Sequence, residues 1–329
     1  MKIIEVKNLI KSFKGGVKAV DGVDFDVKEG DFFAFLGPNG AGKTTTMRMM
    51  ATLTRPSSGK VIINGYDVVK NPDAVRRSIG FAMQAIGLDD LASAWENLEL
   101  MGTLYGMSRK EAKTRAEELL KMFGLEKVAD RFVAQYSGGM RRRLDVAVAL
   151  MHKPRVLFLD EPTEGLDPSG RRMIWNYLNK LNKEGVTIFL TTHYMEEADF
   201  LAHNLAIINK GKIVVKGTPN ELKSKIGSSY IDLELDHEEK QKAQKFLCQK
   251  FSDLKCAQTE DGVEIRTNDG EKSLPKIINS LEQGKVEVKG FKLRSPSLED
   301  VFLKYAGEKF EDEELNTKAD PYMASRSRT

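Results

Sequence analysis

The chain has 329 residues, which at roughly 150 residues per domain predicts about two domains. Hydrophobic residues make up 41% of the chain and charged residues 30%, a composition typical of globular proteins that excludes a disordered or fibrous one. The formal net charge of +3 is too small to indicate a nucleic-acid-binding surface, so we expect no nucleic-acid partner. No uncharged apolar run approaches the ~18 residues that cross a bilayer, and the first residues carry no secretion signal. These features predict a cytoplasmic protein.

The first part of the chain, up to about residue 220, alternates β-rich and helical patterns, which is typical of an α/β fold with a largely parallel sheet. Three short apolar runs, at residues 32–36, 156–159 and 187–190, are typical of strands that are buried on both faces. Asn64-Gly65 and residues 209–211 each follow an apolar run and predict a hairpin turn. We expect these two hairpins in a smaller antiparallel sheet beside the parallel one.

Residues 93–151 have an almost wholly helical pattern. Ser93 with Glu96 and Ser108 with Glu111 form two capping boxes, in which a serine and an acidic residue three positions later begin a helix. The sequence therefore predicts a helical subdomain inserted into the α/β core.

The pattern changes after residue 225 to strand, helix, strand, strand, helix, strand, which matches the ferredoxin-like α+β arrangement. A short helix at residues 298–305 follows, and the polar residues 307–329 are predicted to be mobile. We therefore divide the chain into a domain of residues 1–225, an accessory α+β domain of residues 226–306 and the tail of residues 307–329. The predicted strands of the second domain are residues 230–235, 254–258, 263–267 and 286–293, and its predicted helices are residues 238–251 and 271–283.

Residues 37–44 fit the phosphate-loop pattern G-x-x-x-x-G-K-[ST] between a predicted strand and a predicted helix. Glycines let the backbone wrap around a polyphosphate with its N–H groups pointing inwards. Lys43 adds a full charge for the outer phosphates, and the Thr44 hydroxyl can bind magnesium. Taken alone, the loop predicts binding of a nucleoside triphosphate. We expect that triphosphate to be ATP with Mg²⁺, and we expect the chain to hydrolyse it. The predicted nucleotide contacts in this loop are Gly37, Asn39, Gly40, Ala41, Gly42, Lys43, Thr44 and Thr45.

Polar side chains follow three further strands of the predicted sheet. One buried strand delivers Asp160 and Glu161 at its carboxyl end, where open α/β sheets bind ligands. We expect Asp160 to hold magnesium, and Glu161 to take a proton from the attacking water or to orient it. His193 can bond the terminal phosphate or its water through a neutral imidazole. Gln84 can reach magnesium or water from the same edge of the sheet.

The turn Ser137-Gly138-Gly139-Met140 opens a helix and is suited to binding a second anion. One chain thus has two helix starts suited to phosphate and a single phosphate loop, so we expect the turn to serve a nucleotide held by a second copy of the chain. This predicts a homodimer. Arg141, Arg142 and Arg143 need no nucleic acid, because an exposed helix face beside a phosphate site accounts for them.

In their order along the chain, these motifs resemble those of the ATPase subunit of ATP-binding-cassette (ABC) transporters, over about residues 1–222. The resemblance implies a parallel sheet core, an antiparallel β subdomain and a helical subdomain. It implies that Ser137 lies in the family's signature motif, that Gln84 is its Q-loop glutamine and that His193 is its switch histidine. It also implies that Asp167 belongs to the D-loop and that Phe13 stacks on adenine.

Finer features are similar to the exporter ATPases of the daunorubicin-resistance type, namely residues 136–144 with Met140 and the arginine run, and residues 295–302. The resemblance implies a subunit that lies on the inner face of the cell membrane and pairs with a separately encoded permease. It further implies that two cassettes close on two ATP molecules to export a drug, lipid or other hydrophobic compound. The chain departs from the family pattern at Glu164, where Ser or Thr is more usual, and at Ala82-Met83, where Val-Pro is common.

Other functions stay open at this point. The second domain is also similar to the small-molecule-sensing domains of importer ATPases, so an importer ATPase is the main alternative. A non-transport ABC ATPase is another. A GTPase or a small-molecule kinase would share the phosphate loop and is a more distant alternative. A GTPase would need Asn-Lys-x-Asp after a strand, and residues 182–185 and 209–212 lack the Asp.

Overall fold

The structure is a computed structural model that describes residues 1–226, 229–251, 254–267 and 269–307. The described residues form two compact units, one from Met1 to Gly217 and one that begins at Thr218. The domain boundary that we placed at residue 225 stays a prediction. Of the tail predicted to be mobile, residues 307–329, all but Gly307 lie outside the described residues.

The first unit alternates strands and helices. None of the described helices is both long and apolar enough to cross a membrane. Its strands are β1 (Lys2–Ser12), β2 (Lys18–Lys28), β3 (Phe32–Leu36), β4 (Ser58–Ile63), β5 (Tyr66–Asp67), β6 (Ile79–Ala82), β7 (Val156–Asp160), β8 (Thr187–Thr192), β9 (Asn204–Asn209) and β10 (Lys212–Gly217). Its helices are α1 (Lys43–Met50), α2 (Pro72–Ser78), α3 (Ala94–Leu104), α4 (Arg109–Met122), α5 (Gly138–Ala149), α6 (Pro168–Lys183) and α7 (Met195–Leu201).

A six-stranded sheet forms the centre of this unit, in the order β10-β9-β3-β8-β7-β6. Strands β3, β6, β7, β8 and β9 run parallel, and every residue of β3, β7 and β8 is buried. The prediction of three strands that are buried on both faces is therefore confirmed. Strand β10 pairs antiparallel with β9. The prediction that this hairpin belongs to the small antiparallel sheet is wrong, because β9 pairs in parallel with β3 and brings the hairpin into the main sheet.

A second sheet, in the order β2-β1-β4-β5, is antiparallel throughout. The turn between β4 and β5 has φ values of 49° at Asn64 and 83° at Gly65, the left-handed values that a tight hairpin turn requires. This predicted hairpin is confirmed. The two sheets share an aromatic core, in which the Phe25 ring centroid lies 5.4 Å from that of Phe33 and 5.7 Å from that of Phe189.

The segment between β6 and β7 is mainly helical, as predicted. The hydroxyl of Ser93 accepts a hydrogen bond from the Glu96 N–H, and that of Ser108 accepts one from the Glu111 N–H, so both predicted capping boxes are present. Helices α3, α4 and α5 bury apolar side chains in a common core with the neighbouring face of the six-stranded sheet, including Leu98, Leu119, Leu144, Leu157 and Leu190.

The second unit contains the predicted ferredoxin-like arrangement. Its sheet is antiparallel in the order β12-β13-β11-β14, which places the first and third strands of the βαββαβ unit at the centre. The last strand begins at Gly290, later than the predicted residue 286. Its elements are α8 (Pro219–Ser224), β11 (Ser229–Glu234), α9 (His237–Lys250), β12 (Lys255–Gln258), β13 (Gly262–Thr267), α10 (Gly270–Gln283), β14 (Gly290–Arg294) and α11 (Leu298–Ala306).

Candidate nucleotide site

The candidate site lies at the carboxyl edge of the parallel sheet. The phosphate loop follows β3, His193 follows β8, Asp160 ends β7 with Glu161 next to it, and Gln84 comes shortly after β6. Because β3, β8, β7 and β6 are consecutive neighbours in the sheet, these loops meet at the edge where open α/β sheets bind ligands.

The glycines of the phosphate loop are required by backbone conformation and by close neighbours. Gly40 and Gly42 have φ values of 74° and 105°, which residues with a Cβ atom rarely adopt. A Cβ atom would lie 2.4 Å from the carbonyl oxygen of Ala19 at Gly42, and 2.3 Å from that of Ile208 at Gly37. The loop can therefore fit against the core with its N–H groups free to surround phosphates only if these positions are glycine.

Lys43 is buried at the start of α1, with 4% of the residue exposed. Its Nζ atom donates hydrogen bonds to the carbonyl oxygens of Gly37 and Pro38 at 2.8 and 3.1 Å. The same ammonium lies 3.1 Å from the Oε1 atom of Glu161. Its positive charge is therefore held inside the loop, in the position from which it can bind the outer phosphates.

Glu161 is a buried carboxylate held from several sides. Its N–H donates to the carbonyl oxygen of Thr191 at 3.1 Å, and its Oε2 atom lies 3.1 Å from Nδ1 of His193. Burial alone would raise the pKa of Glu161, but the hydrogen bond from His193 and the charge of Lys43 outweigh burial and lower that pKa to about 2. The side chain is therefore an ionised acceptor beside the phosphate loop.

Asp160 and Thr44 place two oxygen atoms side by side. The Thr44 hydroxyl donates to Oδ1 of Asp160 at 3.1 Å, and the Thr191 hydroxyl donates to the same oxygen. Burial raises the pKa of Asp160, and these two hydrogen bonds oppose that rise. Hydroxyl and carboxylate oxygens are the ligands that magnesium prefers, and magnesium commonly completes its shell with substrate phosphates and water. The adjacent oxygen atoms of Thr44 and Asp160 fit this preference.

Gln84 contacts the loop that follows Glu161. Its Nε2 atom donates to Oε2 of Glu164 at 2.7 Å, so its side chain bonds Glu164 and not the pair formed by Thr44 and Asp160. The amide nitrogen is the donor in this contact, so the carbonyl oxygen of Gln84 is the atom that could bind magnesium or water.

The Ser137 turn begins α5 as predicted. The Ser137 hydroxyl accepts a hydrogen bond from the Met140 N–H at 3.3 Å, and a Cβ atom at Gly138 or Gly139 would meet nothing within 4 Å. A cavity of about 360 Å³ lies beside this turn and is also lined by Asp167. Asp167 caps α6, because its carboxylate accepts from the Gly170 N–H at 3.0 Å. The turn is open for an anion, and no phosphate-loop residue lines this cavity.

The remaining predicted nucleotide contacts differ in exposure. Phe13 lies in the turn after β1 with 48% of the residue exposed, and the Lys11 ammonium lies 5.1 Å from the centroid of its ring. Its ring is therefore available for stacking. Asn39 is exposed and Thr45 is half-buried on α1, whereas Ala41 is buried against the core.

The arginine run on α5 is less exposed than we predicted. Arg142 is buried with 4% of the residue exposed, and Arg141 and Arg143 are only partly exposed. The prediction of an exposed helix face is therefore wrong. Its physical reason is an ion pair between Arg142 and Asp145, with Nη1 and Oδ2 3.1 Å apart, which allows both charges to be buried. The spacing of the two residues, three positions apart on a helix, was the available sequence signal.

Comparisons with known proteins agree with this geometry. Residues 20–164 match the family model of ABC transporters, and residues 217–306 match that of the C-terminal domain of DrrA1-3-like ATP-binding proteins. The daunorubicin/doxorubicin resistance ATP-binding protein DrrA of Streptomyces peucetius is 40% identical over an alignment of 330 positions, which covers 97% of each chain. The chain belongs to the ABC transporter ATP-binding subunits of this daunorubicin-resistance type. It is thus an ATPase, and the prediction of its family and fold is confirmed.

Further relatives support the assignment of this ABC ATPase. The doxorubicin resistance ATP-binding protein DrrA of Mycobacterium tuberculosis is 41% identical over 294 residues, covering 88% of this chain and 89% of the relative. Among solved structures, the dimeric ATP-binding cassette MJ0796 in a post-hydrolysis state with ADP and phosphate is 32% identical. It superposes with a TM-score of 0.60 over 65% of this chain and 98% of its own.

One buried carboxyl of this ABC ATPase was missed in the sequence. Glu197, on α7 shortly after His193, is fully buried, and its Oε1 atom accepts from the Thr163 hydroxyl at 2.8 Å and from the Trp175 indole at 2.9 Å. Burial raises the pKa of Glu197. Glu197 thus connects the segment after His193 to the segment after Glu161. The sequence did not reveal this role, because an acidic residue in the first turn of a short helix is ordinary helix capping.

Proposed function

We propose that this ABC ATPase energises a separately encoded membrane permease, and that the permease exports a drug, lipid or other hydrophobic compound. The observation that carries the proposal is the 40% identity to a daunorubicin/doxorubicin resistance ATP-binding protein over 97% of the chain. The similarity extends through the second unit, which matches the C-terminal domain of DrrA1-3-like proteins. Neither an importer ATPase nor a non-transport ABC ATPase is favoured by the relatives, which include a linearmycin resistance protein of Bacillus subtilis.

ATP is proposed to bind with magnesium at the phosphate loop. Thr44 and Asp160 would hold the metal, with Gln84 reaching it through its carbonyl oxygen. Magnesium, when bound, neutralises negative charge that develops on the transferred phosphate. Glu161 would accept a proton from the attacking water or orient it, and His193 would bond the terminal phosphate. Phosphate oxygens compete with Glu161 for the Lys43 ammonium, so nucleotide binding would raise the pKa of Glu161 towards the range of a useful base.

Two copies of the chain are proposed to close on two ATP molecules. The Ser137 turn has an open helix start with unobstructed glycines, which is suited to an anion, and no phosphate-loop residue lines the cavity beside it. A nucleotide held by the phosphate loop of a second copy would supply the anion for this turn. The same closure would bring Asp167, which also lines that cavity, to the subunit boundary. The dimeric state of the similar cassette MJ0796 is consistent with this arrangement.

The permease would hold the ATPase at the inner face of the cell membrane. Closing and reopening of the two cassettes would then move the permease, which would choose the exported compound. We therefore propose a peripheral location at the membrane, through a protein partner and not through the chain's own helices.

Isolation of the partner from membranes tests the proposal. The chain carrying an affinity tag is expressed in its own cells, membranes are solubilised in mild detergent, and co-purified proteins are identified by mass spectrometry. We expect an integral-membrane protein in stoichiometric amount. A tagged chain recovered only from the soluble fraction, with no membrane protein attached, would overturn the proposal.

Drug resistance tests the direction of transport. Cells lacking the chain are expected to become sensitive to a hydrophobic antibiotic and to accumulate it. The native chain should restore resistance, and a chain with Glu161→Gln should not, although it is made in equal amount. Restoration by that variant would show that resistance does not depend on hydrolysis.

A further inference from the structure

Arg142 is a buried arginine whose hydrogen bonds reach several segments of the nucleotide site. It lies on α5, and its guanidinium donates from Nε to the carbonyl oxygen of Pro162 at 2.8 Å and from Nη2 to that of Asp160 at 2.9 Å. Its Nη1 atom donates to the carbonyl oxygen of Met83 and to the carboxylate of Asp145. Hydrogen bonds from a charged group are about twice as strong as neutral ones, so this group fixes its acceptors firmly.

Two of these acceptors flank Glu161 in the sequence. Asp160 precedes Glu161 and Pro162 follows it, so one guanidinium holds the carbonyl groups on both sides of the proposed catalytic residue. Glu161 itself has a φ of 49°, a left-handed conformation that is unfavourable for a residue with a side chain. Such strain persists only where the surroundings fix the backbone. The two bonds from Arg142 supply part of that fixation.

The third carbonyl group belongs to the loop that carries Gln84. Met83, which precedes Gln84, accepts from Arg142, and the Gly87 N–H donates to Oδ1 of Asp145 at 3.4 Å. The ion pair of Arg142 and Asp145 therefore contacts both ends of this loop. Both side chains lie on α5, the helix that begins after Ser137.

We propose that Arg142 is a positioning residue for ATP hydrolysis. It fixes the positions of Glu161 and of the Gln84 loop relative to the helix that begins at the Ser137 turn. Its hydrogen bonds go to backbone carbonyl groups and to Asp145, and it acts on the reaction through Glu161. The planar guanidinium can donate in several fixed directions at once, which a lysine ammonium on a flexible stem cannot reproduce. The inference rests on the proposed role of Glu161 in hydrolysis and is independent of the transported compound.

Arg142→Lys in the full-length chain tests the inference. We expect kcat for ATP to fall about 10- to 100-fold, the loss that follows from a small misplacement of a catalytic group. The dissociation constant for ATP should stay within about twofold, because Lys43 and the phosphate loop keep their contacts. A parallel loss of ATP affinity would indicate a general structural defect and overturn the inference.

A second comparison isolates the route through Glu161. Arg142→Lys is combined with Glu161→Gln, and single-turnover hydrolysis of labelled ATP is measured for the single and double variants. If Arg142 acts through Glu161, the double variant should be no slower than Glu161→Gln within about twofold. Full multiplication of the two losses would overturn the inference. Near-native turnover of Glu161→Gln alone would instead refute the proposed role of Glu161, so the two failures are distinguishable.

Two further variants separate positioning from folding. Arg115→Lys is the matched control, because Arg115 also bonds a carboxylate, that of Glu118 at 2.9 Å, and a carbonyl, that of Leu150 at 3.1 Å, away from the nucleotide site. Its kcat should stay native. Asp145→Asn keeps the three carbonyl bonds of Arg142 and should lower kcat less than Arg142→Lys does, with melting curves recorded for each. Native kcat in a folded Arg142→Lys chain would overturn the inference.

Discussion

Lys43 and Glu161 form a buried ion pair, with Nζ and Oε1 3.1 Å apart. The lysine is the residue predicted to bind the outer phosphates, and the glutamate is the residue predicted to act on the attacking water. His193 holds the other carboxylate oxygen at 3.1 Å. On the proposed roles of these residues, we expect phosphate oxygens to compete with Glu161 for the Lys43 ammonium, so that nucleotide binding releases Glu161 from Lys43. Variants of Glu161 and of Lys43 should therefore change ATP affinity in opposite directions.

Glu161→Gln should abolish most hydrolysis while ATP still binds. A glutamine cannot accept a proton, so turnover should fall by the ~10²- to 10⁴-fold expected on loss of a general base. ATP affinity should be retained or increased, because Lys43 no longer has a carboxylate competing with the phosphates. Phosphate release and equilibrium binding of ATP measure the two quantities.

The Glu161→Gln variant should also form a dimer with saturating Mg-ATP in size-exclusion chromatography. A strictly monomeric species would contradict a nucleotide site built from two copies of the chain.

Lys43→Met should instead weaken nucleotide binding. The variant removes the charge-assisted contact to phosphate, worth about 1.5–3 kcal/mol, so the dissociation constant for ATP should rise about 10- to 100-fold. Arg48→Met is the matched control, since Arg48 is an exposed cation on the same helix and should leave ATP affinity native. Equal losses for the two variants in a calorimetric titration would refute a specific role of Lys43.

The sequence predicted the phosphate loop and the sheet edge because their signals are local. Residues 37–44 carry a fixed spacing, and Asp160 and His193 each follow closely on a short apolar run that is typical of a buried strand. The contacts between segments were not visible, because they depend on which loops meet in space. Arg142 was predicted to be exposed since a run of arginines on a helix ordinarily faces solvent. Its burial depends on its partner Asp145 and on the carbonyl groups of Met83, Asp160 and Pro162.

The contact of Gln84 with Glu164 was not predicted either. We recognised Glu164 as a departure from the family pattern, but the length of a side chain does not show which distant loop it reaches. In the second unit, by contrast, the order of strands and helices was correct because hydrophobic periodicity and turn residues alternate clearly there. The predicted boundaries were less accurate, because β14 begins at Gly290 and not at the predicted residue 286.

Glycines of the phosphate loop should differ in their tolerance to alanine. At Gly37 a Cβ atom would lie 2.3 Å from the carbonyl oxygen of Ile208, whereas at Gly40 it would meet nothing within 4 Å and would add only the strain of a φ of 74°. Gly40→Ala should therefore cost about 1 kcal/mol of stability, and Gly37→Ala should cost clearly more. Chemical denaturation measures both. Equal costs would show that the carbonyl of Ile208 moves aside readily.

The burial of the Asp145 carboxyl should make stability depend on pH. Burial raises the pKa of Asp145 to about 6, although the charge of Arg142 and hydrogen bonds from Gly87 and Arg142 oppose the rise. The folded chain therefore holds a proton on this carboxyl at pH values where the unfolded chain has lost it. A group with a raised pKa contributes stability below its unfolded pKa, and this contribution is lost as the pH rises through its folded pKa.

Comparison of the native chain with Asp145→Asn isolates this contribution, because an asparagine does not titrate. As the pH rises from about 4 to about 6.5, the free energy of unfolding of the native chain should fall relative to that of the variant. The relative loss should be at most about 3 kcal/mol, the value that corresponds to a shift of roughly two pKa units. Urea denaturation of both chains across this range measures the difference. A difference that stays constant with pH would mean that Asp145 titrates at its ordinary pKa, and that Arg142 and its neighbours stabilise the carboxylate as well as water does.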